Sequence, residues 1–241
     1  MNSRFAILIW WGKDLVMLYN DAYSMILGTK HPSAFGASGR EVWPEIWHII
    51  GPMLEGVMER GEATWSDNLL LELERSGYPE ECYFTFSYSP IRDESGGVGG
   101  IFTPVQETTN QVIGERRLRT LRDLAEGLRS ARAQNREEVC RAASLTLEQN
   151  PYDVPFAAFY LFGKEGAAHL AGAAGVSIPN ALIPEFVRLD EGVEWPFASA
   201  ACISNPGSNP EMVTGLEGLP RGAWPLSPHQ VFCLLYTSRC V

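Results

Sequence analysis

Apolar and polar residues alternate strictly in one stretch of the chain. Phe84, Phe86 and Tyr88 are separated by single threonine or serine residues. A period of two is typical of a strand with one buried face and one face in water. Residues 69–74 alternate in the same way, and residues 98–106 form a third apolar run after a glycine-rich turn. These three segments predict an antiparallel sheet.

Two shorter apolar runs near the start predict a β-hairpin. They cover residues 5–11 and 15–19 and are joined by Gly-Lys-Asp. A short helix is predicted directly after them. Asn20 can cap its first turn through the side-chain oxygen. Gly28 can end it, because glycine adopts the left-handed backbone conformation at little cost.

Two further helices are predicted between this helix and the sheet. Pro44 and Pro52 each suit a first helical position, where a missing N–H costs nothing. Gly61 is expected to stop the second of these helices. Apolar residues keep helical spacing throughout and would line one buried face: Val42, Ile46, Ile49, Ile50, Met53 and Val57.

The composition changes at Glu107, and residues 110–134 predict a charged connector helix. Thr108 and Gln111 have the spacing of a capping box at its start. A narrow apolar stripe follows, as in a coiled-coil seam: Leu118, Leu121, Leu124 and Leu128. The helix either lies on the surface of one globular domain or pairs with a second copy to make a homodimer. We favour the dimerising helix.

The remainder of the chain predicts a second α+β region. Residues 137–149 predict a helix, and residues 156–162 and 168–173 predict two strands joined by a turn. A proline- and glycine-rich segment follows. Within it we expect a helix near residues 183–187 and a short strand near residues 197–203.

Composition argues against several classes of function. The net charge of −10 disfavours a nucleic-acid surface, which needs clustered lysine and arginine. No run of about 18 apolar residues occurs, so no membrane span is expected. Five scattered cysteines are typical of reduced thiols in a cytoplasmic protein. Neither metal-ligand spacing nor a Gly-x-Ser-x-Gly motif occurs, so we expect no metal, no catalytic residue and no resident cofactor.

Residues 5–109 resemble a PAS domain of the sensor histidine kinase family. The resemblance rests on Trp-Trp-Gly at 10–12, Tyr-Asn-Asp-Ala-Tyr at 19–23, Gly-Arg-Glu-Val-Trp-Pro-Glu at 39–45, and residues 83–92. It implies an α+β domain over residues 1–109, with an antiparallel sheet, flanking helices and a sensory role. It also implies that Glu107, Thr108 and Thr109 pass a signal into the connector helix.

Residues 121–231 resemble the first half of a GAF domain, through their helix–strand–turn–strand order and through Val-Pro-Phe-Ala at 154–157. We therefore expect an incomplete GAF-like α+β domain over residues 135–232. In such kinases this array precedes a kinase module that acts on a response regulator. No histidine in the sequence is followed by the glutamate of a phosphoacceptor site. The resemblance thus implies a fragment without its kinase module.

Residues 233–241 are expected to be a non-native tail. Cys-Leu-Leu-Tyr-Thr-Ser at 233–238 resembles the translation of a transposon end that is used as a sequencing adapter. The alternative is a genuine terminal strand over residues 231–236.

A PAS pocket would lie between the sheet and its helices. The residues expected near it are Tyr23, Ile26, Val42, Trp43, Ile46, Trp47, Met53, Phe84, Phe86 and Phe102. They either pack the core, as aromatic stripes usually do, or enclose a small ligand of unknown identity. Haem would need an axial ligand, and His48 lies off the apolar helix face. The early helices lack a cysteine for flavin, and Cys202 lacks the surroundings of a bilin site.

Together with these resemblances, the sequence predicts a cytoplasmic, non-catalytic sensory fragment of a sensor histidine kinase. Binding of a ligand or partner would shift the PAS sheet and bias a two-state helix pair. The alternative is a stand-alone PAS module whose sheet binds a protein partner.

Overall fold

The computed structural model describes residues 3–130, 135–163, 167–188, 211–214, 217–228 and 230–233. The chain divides into two compact units, Met1–Glu115 and Arg116–Val241. The strand expected near residues 197–203, Cys202, and the tail after residue 233 lie outside the described residues.

The first unit is an α+β domain built on one antiparallel sheet. Its elements are β1 (Ala6–Trp11), β2 (Val16–Tyr19), α1 (Asp21–Leu27), α2 (Gly39–Val42), α3 (Trp47–Arg60), β3 (Thr64–Leu73), β4 (Glu80–Arg92) and β5 (Val98–Glu107). The strands lie in the order β2-β1-β5-β4-β3, and each neighbouring pair is antiparallel. The predicted hairpin and the three later strands are therefore confirmed.

One face of this sheet and the helices that cover it form the core. Alternation along the strands turns large side chains such as Trp10, Phe86 and Ile101 inward, where they are buried. From α3, the buried Leu54 and Val57 belong to the same cluster. At about 25 cal/mol per Å² of apolar area, burial of such side chains is the main stabilising contribution.

Asn20 joins the hairpin to α1, and its predicted capping role is confirmed. Its Oδ1 accepts from the amide of Tyr23 at 3.1 Å and from the amide of Ile7 at 3.0 Å. Its Nδ2 donates to the carbonyls of Ser3 and Phe5. Asn20 is buried, and these bonds satisfy its polar atoms.

The prediction that Pro52 begins a helix is wrong. Pro52 lies inside α3, which runs unbroken from Trp47 to Arg60. A proline inside a helix removes one backbone hydrogen bond, and here the burial of the apolar face outweighs that cost. Pro44 does not begin a helix either, because it lies in the turn before α3. Gly61 ends the helix with φ 66°, as expected.

The second unit contains helices, a three-stranded sheet and a separate strand pair. Helix α4 (Thr109–Ser130) starts in the first unit; the others are α5 (Arg136–Leu147), β6 (Ala157–Phe162), β7 (Ala167–Ala174), β8 (Phe186–Arg188), β9 (Glu211–Thr214) and β10 (Gln230–Cys233). The order β6-β7-β8 is antiparallel, and β9 pairs with β10. The predicted α5, β6 and β7 are confirmed. A side chain at Gly172 of β7 would overlap Ser144 Oγ of α5, so this glycine permits their close packing.

The helix expected near residues 183–187 is not formed. Phe186–Arg188 is instead the strand β8, whose Val187 pairs with Ala168 of β7 and is buried. Pairing with β7 explains the difference, and Pro184 disfavours the helical conformation only at Ile183, the residue before it.

Candidate functional site: a core cavity and an arginine-centred junction

A small cavity lies between the helices and the sheet of the first unit. Its volume is about 40 Å³. Side chains from α1, α3, the segment before α3 and four strands surround it: Leu8, Trp10, Tyr23, Ile26, Trp43, Ile46, Ile50, Leu71, Leu73, Phe84, Phe86, Tyr88, Thr103 and Val105.

Six of the predicted pocket residues line this cavity: Tyr23, Ile26, Trp43, Ile46, Phe84 and Phe86. The others lie elsewhere. Trp47 packs edge-on against Trp10 with the ring centres 6.4 Å apart. Met53 packs against the core, Val42 lines a separate surface groove, and Phe102 is 37% exposed.

Sequence reasoning missed several lining residues, of which Tyr88 and Thr103 carry hydroxyl groups. Tyr88 continues the alternation of Phe84 and Phe86, so strand periodicity alone was sufficient to place it on the inner face. Thr103 accepts a buried hydrogen bond from Trp10 Nε1 at 3.1 Å, and no local sequence signal identifies that pair.

The cavity is electrically neutral. Burial raises the pKa of both Tyr23 and Tyr88 far above the ordinary value of 10.0, so both phenols stay protonated at neutral pH. A charged ligand would lose its hydration there without an opposite charge in return. A volume of about 40 Å³ suits one or two water-sized molecules, whereas a cavity that holds benzene measures about 150 Å³.

A second cluster lies where the sheet ends and α4 begins, and Arg75 is at its centre. The guanidinium donates to both oxygens of Glu107, at 2.8 and 2.9 Å, and its Nε donates to Glu80 at 3.2 Å. Hydrogen bonding to Glu107 raises the pKa of Arg75. Burial acts to raise the pKa of Glu107, but the bonds from Arg75 outweigh it and the pKa is lowered. Both groups are therefore charged at neutral pH.

The backbone of Arg75 also contacts the 3-10 turn Gly28–Lys30 that follows α1. Its carbonyl accepts from the amide of Thr29 at 3.0 Å and from the hydroxyl of Thr29 at 2.9 Å. Gly28 has φ 56°, and a Cβ there would lie 2.6 Å from the Arg75 carbonyl oxygen. Glycine is thus required both for the backbone angle and for the close approach.

Thr109 connects the cluster around Arg75 to α4. Its hydroxyl donates to Glu107 at 2.9 Å and accepts from the amide of Tyr83 at 3.0 Å. The amide of Thr108 donates to the carbonyl of Tyr83 at 2.8 Å. Thr109, the first residue of α4, and Thr108 before it are therefore bonded to β4, and Thr109 is also bonded to the end of β5.

The predicted capping box at Thr108 and Gln111 is wrong. Thr108 is buried, and its hydroxyl has no hydrogen-bond partner among the described residues. Gln111 donates through its side chain to Glu115 instead. The backbone of Thr108 continues the pairing with β4, which holds its side chain inside the domain.

Arg75 is the member of this junction that sequence reasoning missed. It lies just after β3, in the turn to β4, 32 residues before its partner Glu107. Only the strand order, which places β4 between β3 and β5, brings the two together. An isolated arginine in a turn carries no local signal of such a contact.

The four leucines predicted for a dimer seam differ in exposure. Leu118 and Leu121 are 69% and 63% exposed, whereas Leu124 and Leu128 are half-buried. The dimer therefore stays a prediction.

Within the described residues, no helix is long and apolar enough to cross a membrane. No group of three or more histidine, cysteine, aspartate or glutamate side chains in that part of the chain is arranged to hold a metal ion.

Comparison with known families decides the fold of the first unit. Residues 2–113 match the family model described as the PAS fold. The amino-terminal unit contains a PAS domain. The predicted PAS domain is thereby confirmed, and its antiparallel sheet with flanking helices agrees with that fold. A comparison with curated protein sequences found no match.

Several solved structures are similar to this PAS domain. A sensory box sensor histidine kinase from Vibrio cholerae is 18% identical, with a TM-score of 0.35, over 43% of this chain and 81% of the other. A PAS domain from Colwellia psychrerythraea is 13% identical, with a TM-score of 0.37, over 45% and 89%. The PAS domain of the histidine kinase ThkA is 19% identical, with a TM-score of 0.31, over 42% and 98%.

Proposed function

We propose that the chain is a non-catalytic sensory fragment in which the PAS domain passes a conformational change into α4. Binding of a neutral molecule that enlarges the core cavity beyond its volume of about 40 Å³, or of a partner on the sheet, shifts β4 and β5. The shift reaches α4 through Glu107, Thr108 and Thr109. A helix pair with two arrangements then biases an output module.

The observation that carries this proposal is the two-pronged contact between Arg75 and Glu107. The carbonyl of Arg75 contacts Thr29, in the turn directly after α1, and Glu107 accepts from Thr109, the first residue of α4. A movement at the helix side of the cavity therefore has a continuous polar route to α4. Charge-assisted, bidentate pairs of this kind hold a defined geometry.

The wider setting follows from the resemblance to sensor histidine kinases. In this proposal α4 pairs with a second copy through Leu118, Leu121, Leu124 and Leu128. The second unit is an incomplete GAF-like domain, and the output is a kinase module that acts on a response regulator. The fragment is cytoplasmic in this setting.

Hydrogen exchange on the full chain tests the route. Glu107→Gln removes the charge that holds Arg75, so exchange over residues 108–115 should rise about tenfold, the equivalent of one lost partly buried hydrogen bond. Glu94→Gln, in an exposed turn, is the matched control and should change nothing there. Equal exchange in the two variants would refute the route.

Mass spectrometry of the purified protein tests the sensing step. A co-purifying neutral molecule, added back to stripped protein, should alter exchange over residues 108–115 in the wild type but not in Arg75→Gln. An identical response in Arg75→Gln would show that the signal bypasses this junction.

The second candidate function is a stand-alone module whose sheet binds a protein partner. The outer face of the sheet favours it, because Phe102 pairs with Ile9 across β5 and β1, and Trp11 nearby is 48% exposed. Under this alternative, Trp11→Ser together with Phe102→Ser removes partner binding and leaves the thermal transition unchanged. Under the first proposal with a ligand in the core cavity, the same variant keeps the exchange response to that ligand at residues 108–115.

A further inference from the structure

A second arginine–carboxylate cluster lies within the second unit, where α4 meets the loop after α5. Arg116 donates to both oxygens of Asp153, through Nε at 2.8 Å and a terminal nitrogen at 2.9 Å. Arg117 adds a contact at 3.3 Å. The side chains of Arg116 and Asp153 are only 17% and 13% exposed, so solvent screens this pair less than a surface pair.

Asn150 extends the cluster along α4. Its Nδ2 donates to Asp153 at 2.9 Å and to the hydroxyl of Thr120 at 2.9 Å. Thr120 lies one helical turn after Arg116 and donates to its carbonyl. Gly127 continues the same side of the helix, where an added Cβ would lie 3.2 Å from Thr146 of α5. One face of α4 is thus hydrogen-bonded to the loop after α5 and passes close to α5 at Gly127.

Tyr152, in the loop after α5, makes further contacts that hold this loop. The Arg116 guanidinium lies over the ring of Tyr152, 5.1 Å from its centre. Trp224 packs edge-on against Tyr152 and donates to its carbonyl at 2.9 Å. The loop therefore cannot follow a movement of Arg116 without disturbing contacts elsewhere in the unit.

The charge state of the cluster is stable. Burial acts to raise the pKa of Asp153, but hydrogen bonds from Arg116 and Asn150 outweigh it and lower the pKa to about 2. The carboxylate therefore keeps its charge throughout the physiological range.

We propose that Asp153 and Asn150 clamp α4 to the second unit, so that this unit receives any movement that enters the helix at Thr109. This inference rests on the proposed function, since it names the first recipient of the signal. Leu118 and Leu121 lie away from the clamped face, at positions two and five residues after Arg116. The clamp leaves them exposed, and α4 can be clamped and still offer them to a second copy.

Hydrogen exchange of the full chain with substitutions at two aspartates tests the clamp. Asp153→Asn should raise exchange about tenfold over residues 116–127 and 150–154, since the guanidinium loses its charged partner. Asp123→Asn is the matched control, because Asp123 pairs with Arg122 on the exposed side of the same helix. Arg116→Lys keeps the charge but not the two-pronged geometry and should give a smaller increase.

Arg116→Lys also keeps the test valid if Asp153→Asn unfolds the second unit. An exchange pattern in Arg116→Lys equal to that in Asp123→Asn would overturn the clamp.

The transmission step is tested with Glu107→Gln in two backgrounds. In otherwise wild-type protein, this change should alter exchange over residues 109–115 and also over 150–154. With Asp153→Asn present, the added effect on 150–154 should vanish. A change confined to 109–115 in the wild type would overturn the clamp and leave the proposed function standing. No change in either segment would overturn the proposed function itself.

Discussion

The two units hold their described residues together in different ways. In the first, Trp10, Trp43 and Leu54 belong to one large apolar cluster between the sheet and its helices. In the described part of the second, the buried apolar cluster contains Ala168 and Val187, with Tyr160 packed against it. We therefore expect the first unit to respond mainly to changes in side-chain volume, and the second to the loss of hydrogen-bond partners.

The largest effect is expected at Leu54, which is fully buried in the core of the first unit. Leu54→Ala should lower the free energy of unfolding by about 2–5 kcal/mol, because it removes buried methyl groups and leaves a cavity. Leu118→Ala, at an exposed leucine, should stay within about 0.5 kcal/mol. Urea denaturation of both variants measures the difference, and equal losses would mean that Leu54 is not part of a packed core.

A smaller loss in the free energy of unfolding is expected at Arg75. At this residue the first unit depends on polar contacts, as the second unit does. Arg75→Gln leaves Glu107 and Glu80 without their cation and should cost about 1–3 kcal/mol. The control is Arg122→Gln at an exposed ion pair, which should cost at most about 1 kcal/mol. Equal unfolding midpoints in urea for the two variants would show that Arg75 does not stabilise the junction.

Both clusters make the stability of the protein depend on pH in the same direction. The pKa of Glu107 and that of Asp153 both lie below the ordinary values of 4.5 and 3.8. The folded state therefore binds fewer protons than the unfolded state, and stability falls as pH falls. The contribution of each carboxylate is fully present above its ordinary pKa and is lost as pH falls through its folded pKa, which is about 2 for Asp153.

Urea denaturation at a series of pH values from 7 to 2 measures this loss. Glu107→Gln and Asp153→Asn should each be less sensitive to acid than the wild type. If the free energy of unfolding of either variant falls with pH as steeply as that of the wild type, the contacts assigned to that carboxylate are contradicted.

The smallest effect is expected in self-association through α4, because about two heptads bury little surface. Sedimentation of the wild type should show weak, concentration-dependent association, which Leu121→Asp together with Leu128→Asp abolishes. Leu145→Asp changes an exposed leucine of α5 and should leave association intact. Association that survives the double substitution would place the contact elsewhere, such as on the PAS sheet.

The sequence predicted the parts of the fold that depend on local pattern. Alternation at Phe84, Phe86 and Tyr88 located β4 and its buried face, and Asn20 marked the start of α1. Local rules failed where long-range packing decided the outcome. Burial of its apolar face keeps α3 helical across Pro52. Backbone pairing of Thr108 with β4 prevents its hydroxyl from capping α4.

The candidate sites were predictable to different degrees. Aromatic residues around the cavity follow helix and strand periodicity, so most of them were found. Arg75 depends on the order of strands in the sheet, and Asp153 lies 37 residues from Arg116. Pairs so distant along the chain leave no periodic signal in a single sequence.

Asn20 illustrates how strictly one position can restrict substitution. Its amide oxygen accepts two backbone hydrogen bonds while its amide nitrogen donates two. Aspartate has nearly the same shape and is an equally good helix cap, but an ionised carboxylate cannot donate. It would face the carbonyls of Ser3 and Phe5 with negative charge. The nearest isostere is therefore a poor replacement, and a single deamidation would exchange the two hydrogen bonds to Ser3 and Phe5 for repulsion between the carboxylate and these carbonyls.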